Sequence, residues 1–154
     1  MSTAYILVGV PGAGKSTWIK NQTWALGLTI VSTDAFVEDY ARAIGKTYSE
    51  VFEEYMPTAV SKMVGHAVFC RDNNLDIIWD QTSTTIETRA KKIRMLPEYT
   101  KIAVVFRTPE KEEWDRRILS RPGKHIPQHV LKSMCVNFDH PTLEEGFDEI
   151  WYAE

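Results

Sequence analysis

Along this chain, short apolar runs alternate with longer stretches in which apolar and polar positions are mixed. Tyr5 to Val8, Leu28 to Val31, Asp76 to Trp79 and Ile102 to Phe106 read as strands, with Ile150 to Tyr152 as a fifth. None alternates cleanly between polar and apolar, the pattern expected of parallel strands covered on both faces. Between them the spacing predicts helices over Ser16 to Ala25, Asp34 to Ile44, Tyr48 to Phe69 and Glu110 to Leu119. Pro122 and Gly123 should break the last of these. Pro127 then suits the first turn of a further helix, whose apolar face carries Val130, Leu131, Met134 and Phe138. Strand and helix in repeated succession imply a three-layer α/β domain around a central parallel sheet of four to five strands.

The chain has 154 residues, about one domain's worth, with no internal repeat or linker. No window approaches the roughly 18 uninterrupted apolar residues of a membrane span. The opening run MSTAYILVGV lacks a basic flank and flows into a glycine loop, so it is expected to be a strand and not a signal segment. Cys70 and Cys135 stand far apart in no metal-ligand spacing, which suits a reducing cytoplasm and assigns each to core packing.

Net charge is −3, which argues against a long basic surface for holding duplex nucleic acid. The charge is unevenly placed: Thr88 to Lys124 holds eleven Lys/Arg against five Asp/Glu, whereas from His125 onward one lysine faces six acids. A basic third of this kind suits a compact anionic ligand.

The glycine loop supplies that ligand's class. GVPGAGKST, residues 9 to 17, follows the first strand and fits GxxxxGK[ST] through Gly9, Gly14, Lys15 and Ser16. At average composition a chance match in a chain of this length is on the order of one in two hundred. In such a loop backbone N–H groups of Pro11 to Thr17, proline excepted, converge on phosphate oxygens, with Gly12, Ala13 and Gly14 allowing close approach. Lys15 adds a point charge and the Ser16 hydroxyl can ligate Mg²⁺. This is a nucleoside triphosphate site, with ATP and Mg²⁺ as expected cofactors.

Two carboxylates follow strand ends, where open parallel sheets gather their ligands: Asp34 after the second strand and Asp80 after the third. One can take a proton from an attacking hydroxyl and the other can orient it or hold a metal-bound water. Thr33 or Asp34 can equally cap the helix that follows, and Asp80 a turn before Thr82 to Thr85. In RRILSRPGKHIP, residues 116 to 127, Arg117 and Arg121 are four apart and should share a helix face before the break, with Lys124 beyond it. Guanidinium groups on a hinged lid can close over the β- and γ-phosphates. The alternative for Arg117 is a surface pair with Glu113.

In order, GVPGAGKSTW, STDAF, IIWDQTSTTIETR and RRILSRPGKHIPQHVLKSM resemble the P-loop kinase family that includes the kinase domain of bacteriophage polynucleotide kinase. The likeness spans nearly the whole chain, residues 1–154. It implies a single kinase domain with an arginine-bearing helical lid over roughly residues 110–138. The implied activity is transfer of the ATP γ-phosphate to a 5′-hydroxyl end of DNA or RNA, in the cytoplasm of a host cell if the chain is phage-encoded. By the same resemblance Asp34 is the general base, Asp80 lies near the acceptor, Arg121 is the lid arginine and Arg117 a second one. Two departures stand out. The phage enzyme has an arginine three residues after its base where this chain has Val37, a role Arg42 is expected to take over as an acceptor contact. The phosphatase motif DxDxT occurs nowhere in this chain, so no phosphatase domain is expected.

A kinase for a small hydroxyl acceptor, such as a nucleoside, nucleotide, modified base or sugar, is the competing reading, favoured by Val37 and the acidic balance. A nucleotide-binding module without transfer is the third. Trp18, Trp24, Tyr40, Tyr48 and Phe52 offer aromatic surface for a terminal base, though most should be core.

Overall fold

A computed structural model describes all residues except Leu26, Pro122 and Glu154. Five strands, β1 (Thr3–Val8), β2 (Thr29–Val31), β3 (Ile77–Trp79), β4 (Thr100–Phe106) and β5 (Glu149–Ala153), form one sheet in the order β2-β3-β1-β4-β5. Every neighbouring pair is parallel, with Tyr5 opposite both Ile78 and Ile102 at the centre. The expected parallel α/β sheet is therefore present, with five strands.

Six α-helices connect them: α1 (Lys15–Asn21), α2 (Asp34–Ile44), α3 (Tyr48–Asp72), α4 (Ile86–Met95), α5 (Lys111–Leu119) and α6 (Gln128–Val136). Because successive strand residues point to opposite faces, the sheet serves two cores. Ala4, Ile6, Val8, Ile77 and Trp79 pack with Met63, Ala67 and Cys70 of α3 on one side. Leu7, Ile78, Ile102, Val104 and Phe106 pack with Trp18 and Ile19 of α1 on the other. A third cluster of Val37, Ala41, Val51 and Ala59 joins α2 to α3. No described helix is long and apolar enough to cross a membrane.

Three local expectations change. The helix after the glycine loop stops at Asn21, and Thr23–Ala25 form a tight 3-10 turn. Trp18 and Trp24 would lie on opposite sides of a continuous helix, six residues apart. Here the turn brings Trp24 back to 5.6 Å from Trp18 and 4.8 Å from Tyr5. Helix α4 did not show in the apolar pattern, because its buried positions are Arg89 and Lys92. Cys70 is buried as expected, but Cys135 is exposed, since α6 buries only Leu131.

Arg89 organises the ground beneath the site. Wholly buried, it forms a bidentate pair with Glu145, Nε to Oε1 at 2.7 Å and Nη2 to Oε2 at 3.1 Å, and donates to the Ser83 carbonyl at 3.0 Å. Ser83 has φ 46°, in the left-handed region where a side chain is strained. The guanidinium thus holds the loop after β3 in a conformation it would not keep alone. That loop carries Asp80 and, through Thr82, supports the glycine loop.

Candidate active site

The loop Gly9–Thr17 turns on Gly12 and Gly14, whose φ angles of 79° and 104° lie in the left-handed region open to glycine. Gly14 caps the start of α1, so the helix's first N–H groups face the same space as the loop. Pro11, Gly12, Ala13, Gly14, Lys15, Ser16 and Thr17 all line a cleft of about 1640 Å³. Gly9 is placed differently from the expectation that it contacts the cofactor. It is buried, and its N–H donates to the Thr82 carbonyl at 2.9 Å, so it braces the loop from below. A Cβ there would stand 2.8 Å from the Phe106 Cβ.

Lys15 Nζ donates to the carbonyls of Gly9 at 2.8 Å and Val10 at 2.9 Å. Burial pushes its pKa down to about 8; Asp80 and Asp34 oppose that shift and Arg121 adds to it. The Asp80 carboxyl, raised by burial, is in turn held down chiefly by Lys15. Both carboxylates expected at strand ends therefore act on the loop lysine, and both line the cleft.

Asp34 opens α2, with Thr33 at the cap position making no side-chain bond and Ser32 Oγ accepting from the Asp34 N–H at 3.0 Å. Its Oδ1 accepts from the Tyr48 phenol at 2.7 Å, and Oδ2 lies 4.0 Å from Lys124 Nζ. Lys124 pairs more closely with Glu38, at 2.6 Å, and sits 4.6 Å over the Tyr48 ring. Burial, and then the Asp34 charge, drive the Tyr48 pKa far upward, so the phenol stays a donor. Thr85 caps α4, and among the described residues the Asp80 carboxylate makes no capping hydrogen bond.

The two lid arginines part company. Arg121 lines the cleft, but it lies beyond the end of α5 and so does not share a helical face with Arg117. The expected break at Pro122 lies outside the described residues. Arg117 also lines the cleft and pairs with Glu113 at 2.8 Å, while its Nη1 donates to the Gly12 carbonyl at 3.1 Å. Trp114 joins it there, Nε1 donating to the Pro11 carbonyl at 2.6 Å. Helix α5 is thereby seated on the tip of the glycine loop.

Arg42 is not brought to the cleft with the other candidate residues: it is exposed, pairs with Asp39 one turn back on α2, and does not line the cleft. Val37 is wholly buried between α2 and α3 and presents nothing to the cleft either. From α3 and the segment 125–134 the cleft is lined by apolar and aromatic Tyr48, Phe52, Met56, Ile126, Val130 and Met134, and by polar Ser49, Glu50, Glu53, His125 and His129. Trp18 also lines the cleft. Trp24 packs with Tyr5, and Tyr40 stacks on Tyr55 at 4.1 Å. Sequence reasoning missed Tyr48 as the partner of Asp34 and Trp114 as a loop clamp. No local spacing signals the first, whereas Trp114 stands one helical turn before Arg117 and Ile118.

Residues 5–141 match the model of the AAA domain family, and the chain belongs to it. Its five-stranded parallel sheet and glycine loop are the P-loop kinase fold. The mouse heterogeneous nuclear ribonucleoprotein U-like protein 2 is 24% identical over 97% of this chain and 21% of its own length. The bifunctional polynucleotide phosphatase/kinase of Schizosaccharomyces pombe is 25% identical over 94% of this chain and 32% of its own length. The chain thus spans a third or less of either relative. A solved candidate kinase from Chloroflexus aurantiacus superposes with a TM-score of 0.72 at 22% identity, over 99% of this chain and 84% of the other.

Proposed function

We propose that this domain is an ATP-dependent phosphotransferase with an alcohol acceptor, and that the acceptor is the 5′-hydroxyl end of DNA or RNA. The observation carrying this reading is the convergence of Asp34, Asp80, Lys15 and Arg121 on one cleft at the carboxyl ends of the strands. One carboxylate beside a phosphate loop can serve Mg²⁺ alone; a second at the same cleft is what proton transfer requires. The similarity to a polynucleotide phosphatase/kinase supports the acceptor class.

In this reading the acceptor O–H gives its proton to Asp34 while its oxygen bonds the γ-phosphorus and the bond to the β-phosphate oxygen breaks, leaving ADP. Lys15 and Arg121 offset charge spreading over the transferred group, and Asp80 orients the acceptor. The segment 110–138 acts as the lid that excludes water. Mg²⁺ fits the donors present. It takes one or two protein oxygens and leaves its remaining positions to phosphate and water. The exposed Ser16 hydroxyl on the cleft would supply the direct protein oxygen, and the Asp80 carboxylate, also on the cleft, could hold a metal-bound water. When bound, the ion neutralises phosphate charge.

A second reading, a small hydroxyl acceptor, is favoured by the acceptor wall itself. It mixes aromatic and apolar side chains with the acids Glu50 and Glu53, Arg42 does not line the cleft, and Lys124 pairs with Glu38, so it offers little free positive charge to a polymer's phosphates. The deciding experiment is transfer of labelled γ-phosphate with Mg²⁺, offered a 5′-hydroxyl oligonucleotide beside a panel of nucleosides, nucleotides and sugars, at two salt concentrations. Labelled oligonucleotide ends, with affinity falling steeply as salt rises, support the polynucleotide reading. Label on a small acceptor alone refutes it. Label on none, with ATP bound, leaves a nucleotide-binding module. Arg121→Ala should slow transfer more than it weakens ATP binding; the reverse ranking removes its transition-state role.

A further inference from the structure

Asp34 sits at the start of a helix with its side chain 47% exposed, a setting in which a carboxylate rotates freely unless something holds it. What holds it is Tyr48, fourteen residues on, whose phenol donates to Oδ1 at 2.7 Å. We propose that Tyr48 is a positioning residue for the reaction, fixing Asp34 so that Oδ2 alone faces the acceptor hydroxyl. This rests on the reading of Asp34 as the base and deepens it.

The phenol is itself fixed from several sides. Thr47 and Glu50 form a reciprocal cap at the start of α3, the Thr47 N–H donating to Glu50 at 3.0 Å and the Glu50 N–H to Thr47 at 3.3 Å. The next residue, Ser49, is pinned by the lid segment: its N–H donates to the Gly123 carbonyl at 3.0 Å, and its hydroxyl accepts from the His125 N–H at 2.7 Å. Lys124, between those two, covers the Tyr48 ring at 4.6 Å, and Phe52 flanks it at 5.6 Å. Three consecutive lid residues therefore bear on Tyr48 or its neighbour. The base is held in its productive orientation only while this lid segment is docked on α3. A phenol that keeps its proton is suited to this role, because it can donate to a carboxylate but does not compete for the acceptor's proton.

The test compares wild type, Tyr48→Phe, Asp34→Asn and the double variant in single-turnover label transfer from ATP. A 5′-hydroxyl oligonucleotide and a nucleoside mixture serve as acceptor probes, and ATP affinity is measured separately. Tyr48→Phe keeps the ring that packs under Lys124 and removes only the donor. The expected result is a transfer rate roughly tenfold lower, within the worth of a hydrogen bond to a charged group, with ATP affinity unchanged. Asp34→Asn should lower the rate roughly a hundredfold or more, and adding Tyr48→Phe to it should change nothing further, since the partner's task is gone.

A Tyr48→Phe rate within twofold of wild type overturns the proposal while leaving Asp34 as base. So does an equal fractional loss in the Asp34→Asn background, which marks a general structural role. A wild-type rate in Asp34→Asn removes the base, and the proposal with it.

Discussion

Lys15 is a buried ammonium whose pKa is pushed down to about 8, and that makes the loop sensitive to pH in a calculable way. In the unfolded chain a lysine titrates near 10.4. Between these values the unfolded state binds the extra proton, so stability rises with pH through that window and the burial penalty is fully present below it. Integrating the two titrations gives a gain of about 2 kcal/mol from pH 7 to pH 9.5. The quantity to measure is the urea unfolding free energy of wild type minus that of Lys15→Met, across that range. Lys92, also pushed down to about 8 by burial, is common to both proteins and cancels in the difference. Phosphate oxygens favour the charged lysine, so ATP affinity should fall about 25-fold between pH 7.5 and 9.5 as the ammonium is lost. A stability difference flat within about 0.5 kcal/mol over the range would refute the reasoning, since a lysine desolvated this deeply cannot titrate normally.

Glu145→Ala should destabilise the domain by about 3–5 kcal/mol, because it leaves the wholly buried Arg89 charge unpaired; a loss under about 1 kcal/mol in urea unfolding would show that water reaches the pair. Gly9→Ala places a Cβ 2.8 Å from the Phe106 Cβ, two rigid positions, and should cost about 1–3 kcal/mol. ATP affinity should fall with it, as isothermal titration would report. Arg42→Ala should leave transfer rate and acceptor KM within twofold of wild type, and a raised KM would return Arg42 to the acceptor site.

The parts of the site that were legible in the sequence are those set by local chain geometry. A glycine loop between a strand and a helix, and carboxylates just past strand ends, need no knowledge of distant neighbours. Asp34, Asp80, Lys15 and Arg121 accordingly meet in one cleft. Helix α4 escaped because hydrophobic periodicity assumes that buried means apolar, and its inward positions are Arg89 and Lys92. Arg42 stands apart from the cleft because a nearer partner, Asp39 one turn back, takes up its long side chain. The Tyr48 contact with Asp34 depends on how α3 packs across α2, a tertiary outcome that residue spacing does not encode.

The seat of α5 on the glycine loop has a mechanical consequence. Trp114 and Arg117 hold the carbonyls of Pro11 and Gly12, the two residues at the loop's outer tip. Lifting α5 away would cost both bonds, so the position of the helix and the shape of the loop tip are coupled. The Gly123–His125 stretch is tied separately, to the start of α3, by the two bonds at Ser49 and by Lys124 over the Tyr48 ring. The two sides of the cleft are thus anchored independently, one through the glycine loop and one through the start of α3.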